Sequence, residues 1–214
     1  MDSPIPNTLR IFAPSESNLA AIVLDQGLNV LLLTAANAGN GVTTSAIALA
    51  SELARSSHTS VLLMDASLSA NSITRRLALQ EQPGFMDLAL PGQAPAIEEC
   101  LVQVEGLSCD IMPVGVHPRH GERLDPQRLR NLFAQLGERY RFVVIDGEAV
   151  YASSDTLAIS TQADGVALVV RGEETRWEVA QAAAQRLTQV GAKLIGGIFN
   201  ARKYYMPKWV YDHL

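Results

Sequence analysis

Long apolar runs, cysteine pairs and clustered basic charge are all scarce in this chain, and each shortage excludes a class of function. No apolar run approaches the ~20 residues that a membrane-spanning helix needs. The only cysteines are Cys100 and Cys109. One is expected on a helix and the other at the opening of a strand, which is neither a disulfide framework nor a metal-ligand spacing. His58, His117, His120 and His213 are scattered, so no zinc site is expected, and a reducing cytosol is the natural setting. The first residues, Met1-Asp2-Ser3-Pro4-Ile5-Pro6, have neither a basic start nor an apolar core, and no signal peptide is expected. Basic charge is also outnumbered, with 17 Lys and Arg against 22 Asp and Glu and a net charge of −5. That balance opposes non-specific nucleic-acid binding, which needs clustered cations on phosphates. The richest basic run, Arg119, His120, Arg123, Arg128 and Arg130, is interrupted by Glu122 and Asp125 and reads as a solvated helix face.

What is present is apolar content in short blocks. A chain of 214 residues with 48% hydrophobic residues can bury one substantial core. Continuous Val/Ile/Leu runs predict strands near Val30 to Thr34, Val61 to Asp65, Cys109 to Pro113, Phe142 to Asp146, Val166 to Arg171 and Leu194 to Asn200. Helical patterns fall between them, notably at Thr43 to Arg55, Pro126 to Arg139 and Arg176 to Val190. Runs that are apolar throughout mark strands covered on both faces, so the fold class is α/β, a doubly wound, mostly parallel sheet. Residues 1–14 are expected to form an extended arm, 15–201 one domain and 202–214 an aromatic and basic tail, with Pro91 to Pro95 in a surface loop.

Function turns on the stretch from Leu31 to Thr44. An apolar strand feeds a turn containing Gly39, Asn40 and Gly41, and a helix follows, which is the context of a phosphate-binding P-loop. Backbone N–H groups and the helix N-terminus would cradle phosphates, and the Thr43 hydroxyl would meet Mg²⁺. The motif's lysine, however, is Val42. Two further strands, ending in Asp65 and Asp146, bring carboxylates to the carboxyl edge of the sheet, where they could ligate Mg²⁺ or position water. Capping of the following helices is the alternative role for both aspartates.

These segments resemble the bacterial tyrosine kinases of the CpsD/CapB type, P-loop proteins of capsule and exopolysaccharide production related to the MinD and ParA ATPases. The family's TSxxPGxGKST corresponds to Thr34 through Thr44, its DADLRxP to Asp65 through Asn71 with only the first aspartate kept, and its IDTPP to Ile145 through Ala149. Gly84 to Leu90, Ser154 to Ala158 and Ala163 to Arg171 follow the family closely, as does Gly196-Gly197-Ile198-Phe199-Asn200. The resemblance implies catalytic positions at Asp65 and Asp146, and Mg²⁺ at Thr43, Asp65 and Asp146. It implies nucleotide contacts at Gly39, Asn40, Gly41, Val42, Thr43 and Thr44, and an adenine contact at Asn200. It also implies tail phosphorylation at Tyr204, Tyr205 and Tyr211, for which packing of the tail aromatics on the body is the alternative. The family's E-x-x-R-x-x-R assembly pattern falls on Glu16, Leu19 and Ile22, both arginines having become aliphatic. Leu19, Ile22 and Val23 also fit a core-facing helical stripe.

A charged hydrogen bond contributes about 1.5–3 kcal/mol, and loss of one transition-state donor costs ~10²–10³ in rate. Ala35 and Ala36 supply no replacement lysine, Ser67 replaces a motif aspartate, and Glu148 adds a carboxylate that would repel a triphosphate if it pointed inward. The expectation is therefore a pseudokinase without a bound cofactor, a monomer or small oligomer. It would be cytoplasmic and reach the inner face of the inner membrane through a chain-length-determinant (polysaccharide co-polymerase) protein or a related kinase. The alternatives are an active autokinase using ATP and Mg²⁺ and a MinD-like ATP-binding switch.

Overall fold

Residues 11–12, 16–115, 123–172 and 174–200 are described by a computed structural model. In chain order the elements are β1 (Ile11–Phe12), α1 (Glu16–Asp25), β2 (Val30–Ala35), α2 (Val42–Ser57), β3 (Val61–Ala66), α3 (Ile73–Arg76) and α4 (Phe85–Ala89). After a single 3₁₀ turn at Ile97–Cys100 come β4 (Val102–Gln103), β5 (Asp110–Met112), α5 (Pro126–Arg139), β6 (Phe142–Gly147), α6 (Ser154–Ser160), β7 (Gly165–Arg171), α7 (Trp177–Gln189) and β8 (Leu194–Asn200).

All six strands expected from the sequence are present, in one sheet of order β1-β8-β7-β2-β6-β3-β5-β4. Every neighbouring pair is parallel except β4 with β5. The two strands that the sequence did not reveal, β1 and β4, are two residues long and lie at the two edges. Ile11 and Phe12 fall inside the stretch expected to be an arm, but they pair with Gly197 and Ile198 of β8.

Alternation along the strands divides the core into two layers. Leu31, Leu33, Leu63, Val144 and Val169 face α1 and α2, while Leu32, Met64, Val143, Ile145 and Leu168 face α4, α5, α6 and α7. The helices present matching stripes. Leu129, Leu132, Phe133 and Leu136 of α5 follow the i, i+3, i+4, i+7 spacing and are buried. That helix begins where Asp125 accepts the N–H groups of Gln127 and Arg128 and Pro126 takes the first helical position. Leu19 and Val23 of α1 are buried and Ile22 is half-buried, so the core-facing stripe is the arrangement observed. Cys100 closes the 3₁₀ turn rather than lying on an α-helix.

The same alternation carries Asp65 and Asp146 onto the α2 side, two positions beyond Leu63 and Val144. Because β3 and β6 are adjacent and in register, these two aspartates are direct partners across the strands.

Candidate functional site

The loop between β2 and α2 has the backbone that a phosphate cradle requires. Gly39 and Gly41 have φ of 85° and 91°, in the left-handed region that glycine adopts without a Cβ penalty. Gly41 caps α2 without any side-chain hydrogen bond, which leaves the first N–H groups of the helix directed outward. A Cβ on Gly41 would collide with the amide of Asn200. Asn200 instead donates from Nδ2 to the carbonyl of Asn40 at 3.0 Å, so it lies over the loop from the end of β8. Arg171, at the end of β7, donates to the carbonyl of Gly39 at 3.3 Å while its Nε pairs with Glu174.

Val42 opens α2 half-buried and packs against the apolar cluster beneath α1 and α2. The loop sequence itself, from Ala36 to Thr44, contains no Lys or Arg, and Arg171 reaches it only from β7. Thr43 is half-buried beside it and Thr44 is exposed.

Beneath the loop, Asp65 and Asp146 are both fully buried. Asp65 is well supplied with donors: Ser67 N–H at 3.0 Å, Thr74 N–H at 2.7 Å and Thr74 Oγ1 at 2.6 Å. The capping role foreseen for Asp65 is thus fulfilled in part, because Thr74 belongs to the first turn of α3. Burial pushes the Asp65 carboxyl above its ordinary pKa, and those hydrogen bonds oppose the shift. Neither oxygen of Asp146 has a hydrogen-bond partner. Burial, followed by the charge of Asp65, raises its pKa to about 7; the nearby Thr43 hydroxyl and the Arg76 guanidinium pull the other way. The amide nitrogen of Asn40 is likewise buried and unpartnered.

Glu148 does not point freely at the loop. Its carboxylate accepts the N–H of Leu68 at 3.1 Å, tying the segment after β6 to the segment after β3, and its carbonyl accepts from Thr34 and Thr156. Its pKa is raised, first by burial. The sequence indicated the loop and both aspartates. It gave no sign of Thr74 as the partner of Asp65, of Arg171 on Gly39, or of Arg76 acting on Asp146, because each depends on packing between distant segments.

Thr43, Asp65 and Asp146 come together as hard oxygen donors of the kind Mg²⁺ takes, and the bare oxygens of Asp146 fit that use. A triphosphate fits less well, because Val42 stands in place of the lysine that would meet its phosphates from within the loop. Among the described residues no group of three His, Cys, Asp or Glu could hold a metal alone. Cys100 and Cys109 are buried thiols with pKa raised to about 12 and about 11, first by burial, so neither is a reactive nucleophile. Tyr204, Tyr205 and Tyr211 lie outside the described residues, as do His117, Arg119, His120 and Glu122.

A central parallel strand, a glycine turn running into a helix, and aspartates at the ends of two neighbouring strands define a P-loop NTPase fold of the MinD/ParA kind. MinD of Pyrococcus furiosus superposes with a TM-score of 0.66 over 86% of this chain and 78% of its own, at 18% identity. The VpsO kinase domain superposes at 0.71 over 88% of this chain and 96% of its own, at 29% identity. In sequence, the tyrosine-protein kinase YwqD of Bacillus subtilis is 26% identical over 188 residues, 87% of this chain and 78% of that protein. The tyrosine-protein kinase ptk of Acinetobacter johnsonii is 32% identical over 142 residues, 65% of this chain but 19% of that much longer protein. No protein-family model matches the chain. The homologues of this chain are bacterial tyrosine-protein kinases, and its structural neighbours are bacterial tyrosine-kinase domains together with MinD/ParA-like ATPases.

Proposed function

We propose that this protein is a catalytically impaired relative of the bacterial tyrosine kinases, a subunit of exopolysaccharide or capsule biosynthesis that acts by binding protein partners. The observation that carries this reading is Val42, whose side chain packs against the α1/α2 cluster where the motif calls for a lysine, so the loop itself carries no cation. Asp146, buried without a counter-ion partner in hydrogen-bond contact, supports it: a lysine at position 42 would add positive charge to this site. The partner is a chain-length-determinant co-polymerase or a related kinase, and it brings the protein to the inner face of the membrane. No helix among the described residues is long and apolar enough to cross a membrane. Leu19 and Val23, packed into the core, favour a monomer or small oligomer over a nucleotide-driven ring.

A MinD-like ATP-binding switch is the second reading, favoured by the intact left-handed glycines and by Asn200 over the loop. Incubation with labelled ATP and Mg²⁺ tests the first. No phosphate incorporation is expected. Incorporation that disappears when Tyr204, Tyr205 and Tyr211 are changed to Phe would establish the autokinase instead.

A further inference from the structure

The segments after β3 and β5 line a cavity of about 190 Å³, whose residues include Ser67, Leu68, Ser72, Arg75, Gln80 and Gly115. None of its lining comes from the phosphate loop after β2. Ligand pockets for drug-sized molecules run to about 300–1,000 Å³, so this volume suits one side-chain-sized group rather than a whole nucleotide.

Its chemistry is lopsided. Arg75 is the one charged residue in the lining, it is exposed, and its guanidinium has no ion pair or hydrogen bond among the described residues. No carboxylate lines the cavity; the nearby acids hold its wall from behind. Asp65 accepts from Ser67 N–H and twice from Thr74, Glu148 accepts from Leu68 N–H, and Asp87 accepts from Gly84 N–H. Ser67 is buried, and its Oγ accepts from Ser69 N–H at 3.3 Å while its own proton has no acceptor among the described residues. A guanidinium fork and a hydroxyl donor thus line the same small space, a donor set that matches a phosphate. Two apolar side chains share the lining: Leu68, one of the few large hydrophobic side chains left exposed, and Val114, buried at its floor. A flat ring could rest against both. The residue at position 67 matters here, because the aspartate of the family motif would place a negative charge where Ser67 now donates.

We infer that this cavity holds the phosphorylated side chain of a phosphotyrosine on a partner protein, with Arg75 and Ser67 on the phosphate and Leu68 and Val114 against the ring. The inference rests on the reading above, in which the protein acts through partners, one of them a related kinase. It adds that the protein reads the product of that kinase rather than making it. Phosphate recognition shifts from the loop after β2, which lacks its cation, to the segment after β3, which offers one.

The test is fluorescence anisotropy of the full chain with a labelled Ala-Ala-phosphotyrosine-Ala-Ala peptide, beside its unphosphorylated and phosphoserine counterparts. Binding of the phosphotyrosine peptide alone is expected. Arg75→Gln should weaken it about tenfold or more, by removal of a charge-assisted hydrogen bond. Ser67→Asp should abolish it, with melting curves showing that both variants fold. Equal affinity for either control peptide, or indifference to Arg75→Gln in a folded protein, overturns the inference. Phosphate incorporation from ATP on the same sample bears only on the impaired-kinase reading. The peptide comparison decides the role of the cavity whichever way that result falls.

Discussion

The loops that follow β2 and β3 leave the same edge of the same sheet, yet they solve opposite problems. After β3, polar groups satisfy one another: Asp65 takes three hydrogen bonds from Ser67 and Thr74, Thr74 Oγ1 accepts from Val114 N–H, Ser72 caps α3, and Glu148 secures Leu68. After β2, the backbone shape is kept but the polar groups are not paired. Asn40 Nδ2 and both oxygens of Asp146 beneath the loop have no partner. Buried polar groups that lack partners cost free energy unless something else supplies the contact. Stability is therefore concentrated in the β3 segment, and the unsatisfied polar groups gather at and beneath the loop after β2.

The largest effect should come from cutting the satisfied network. Thr74→Val removes the hydroxyl that joins Asp65 to Val114 N–H, leaving two buried groups short of a partner. At about 1–3 kcal/mol for each orphaned group the loss should total about 3 kcal/mol. A thermal melt should fall by about 6–12 °C for a domain of this size.

Gly41→Ala comes next. The left-handed φ of 91° and the nearby Asn200 amide both oppose a Cβ, for a cost of about 1–3 kcal/mol. Adding Asn200→Ala should recover the collision but not the backbone strain. A double variant no better than the single one would mean that Asn200 does not lie over the loop.

Asp146→Asn should act in the other direction, and only at higher pH. The Asp146 carboxyl is raised to about 7 in the folded protein, against about 4 in an unfolded chain. Folded protein therefore keeps a proton that unfolded protein releases. The stability this gives is fully present below about pH 4 and is lost as pH rises through about 7. Asp65 and Glu148 are shifted in the same direction. A rise from about 4 to about 7 corresponds to at most about 4 kcal/mol, so the variant should be near neutral at pH 4 and should raise the melting temperature at pH 8. A gain at pH 4 equal to that at pH 8 would show that Asp146 is not a buried acid of raised pKa.

Val42→Lys should change stability least, within about 1 kcal/mol, because a lysine stem can cover the apolar surface that Val42 now covers. Its effect belongs to ligand binding. ATP affinity should rise about tenfold or more. No gain would mean that the loop backbone itself is unsuited to phosphate.

How far the sequence foretold this contrast depends on the range of the interaction. The bounds of α5 were legible because Asp125 and Pro126 are local start signals, and the central strands were legible because each is an unbroken apolar run. β1 and β4 were not, since two residues carry no periodicity and each pairs only with a strand found elsewhere. In the site, the glycines, Val42 and the strand-end aspartates could be read directly. The register that sets Asp65 opposite Asp146, the hold of Thr74 on Asp65, and the diversion of Glu148 to Leu68 N–H arise only when distant segments meet. The N-terminal positions Leu19 and Ile22 resolved differently, the first going fully into the core and the second only halfway, a distinction finer than helical spacing alone can make.

On the proposed reading, the loop after β2 retains a cradle's shape without its affinity. Equilibrium titration of the wild-type chain with a fluorescent ATP analogue, with and without Mg²⁺, tests it most directly. No saturable binding below the millimolar range and little change on adding Mg²⁺ are expected, whereas micromolar affinity that depends on Mg²⁺ would show a working nucleotide site.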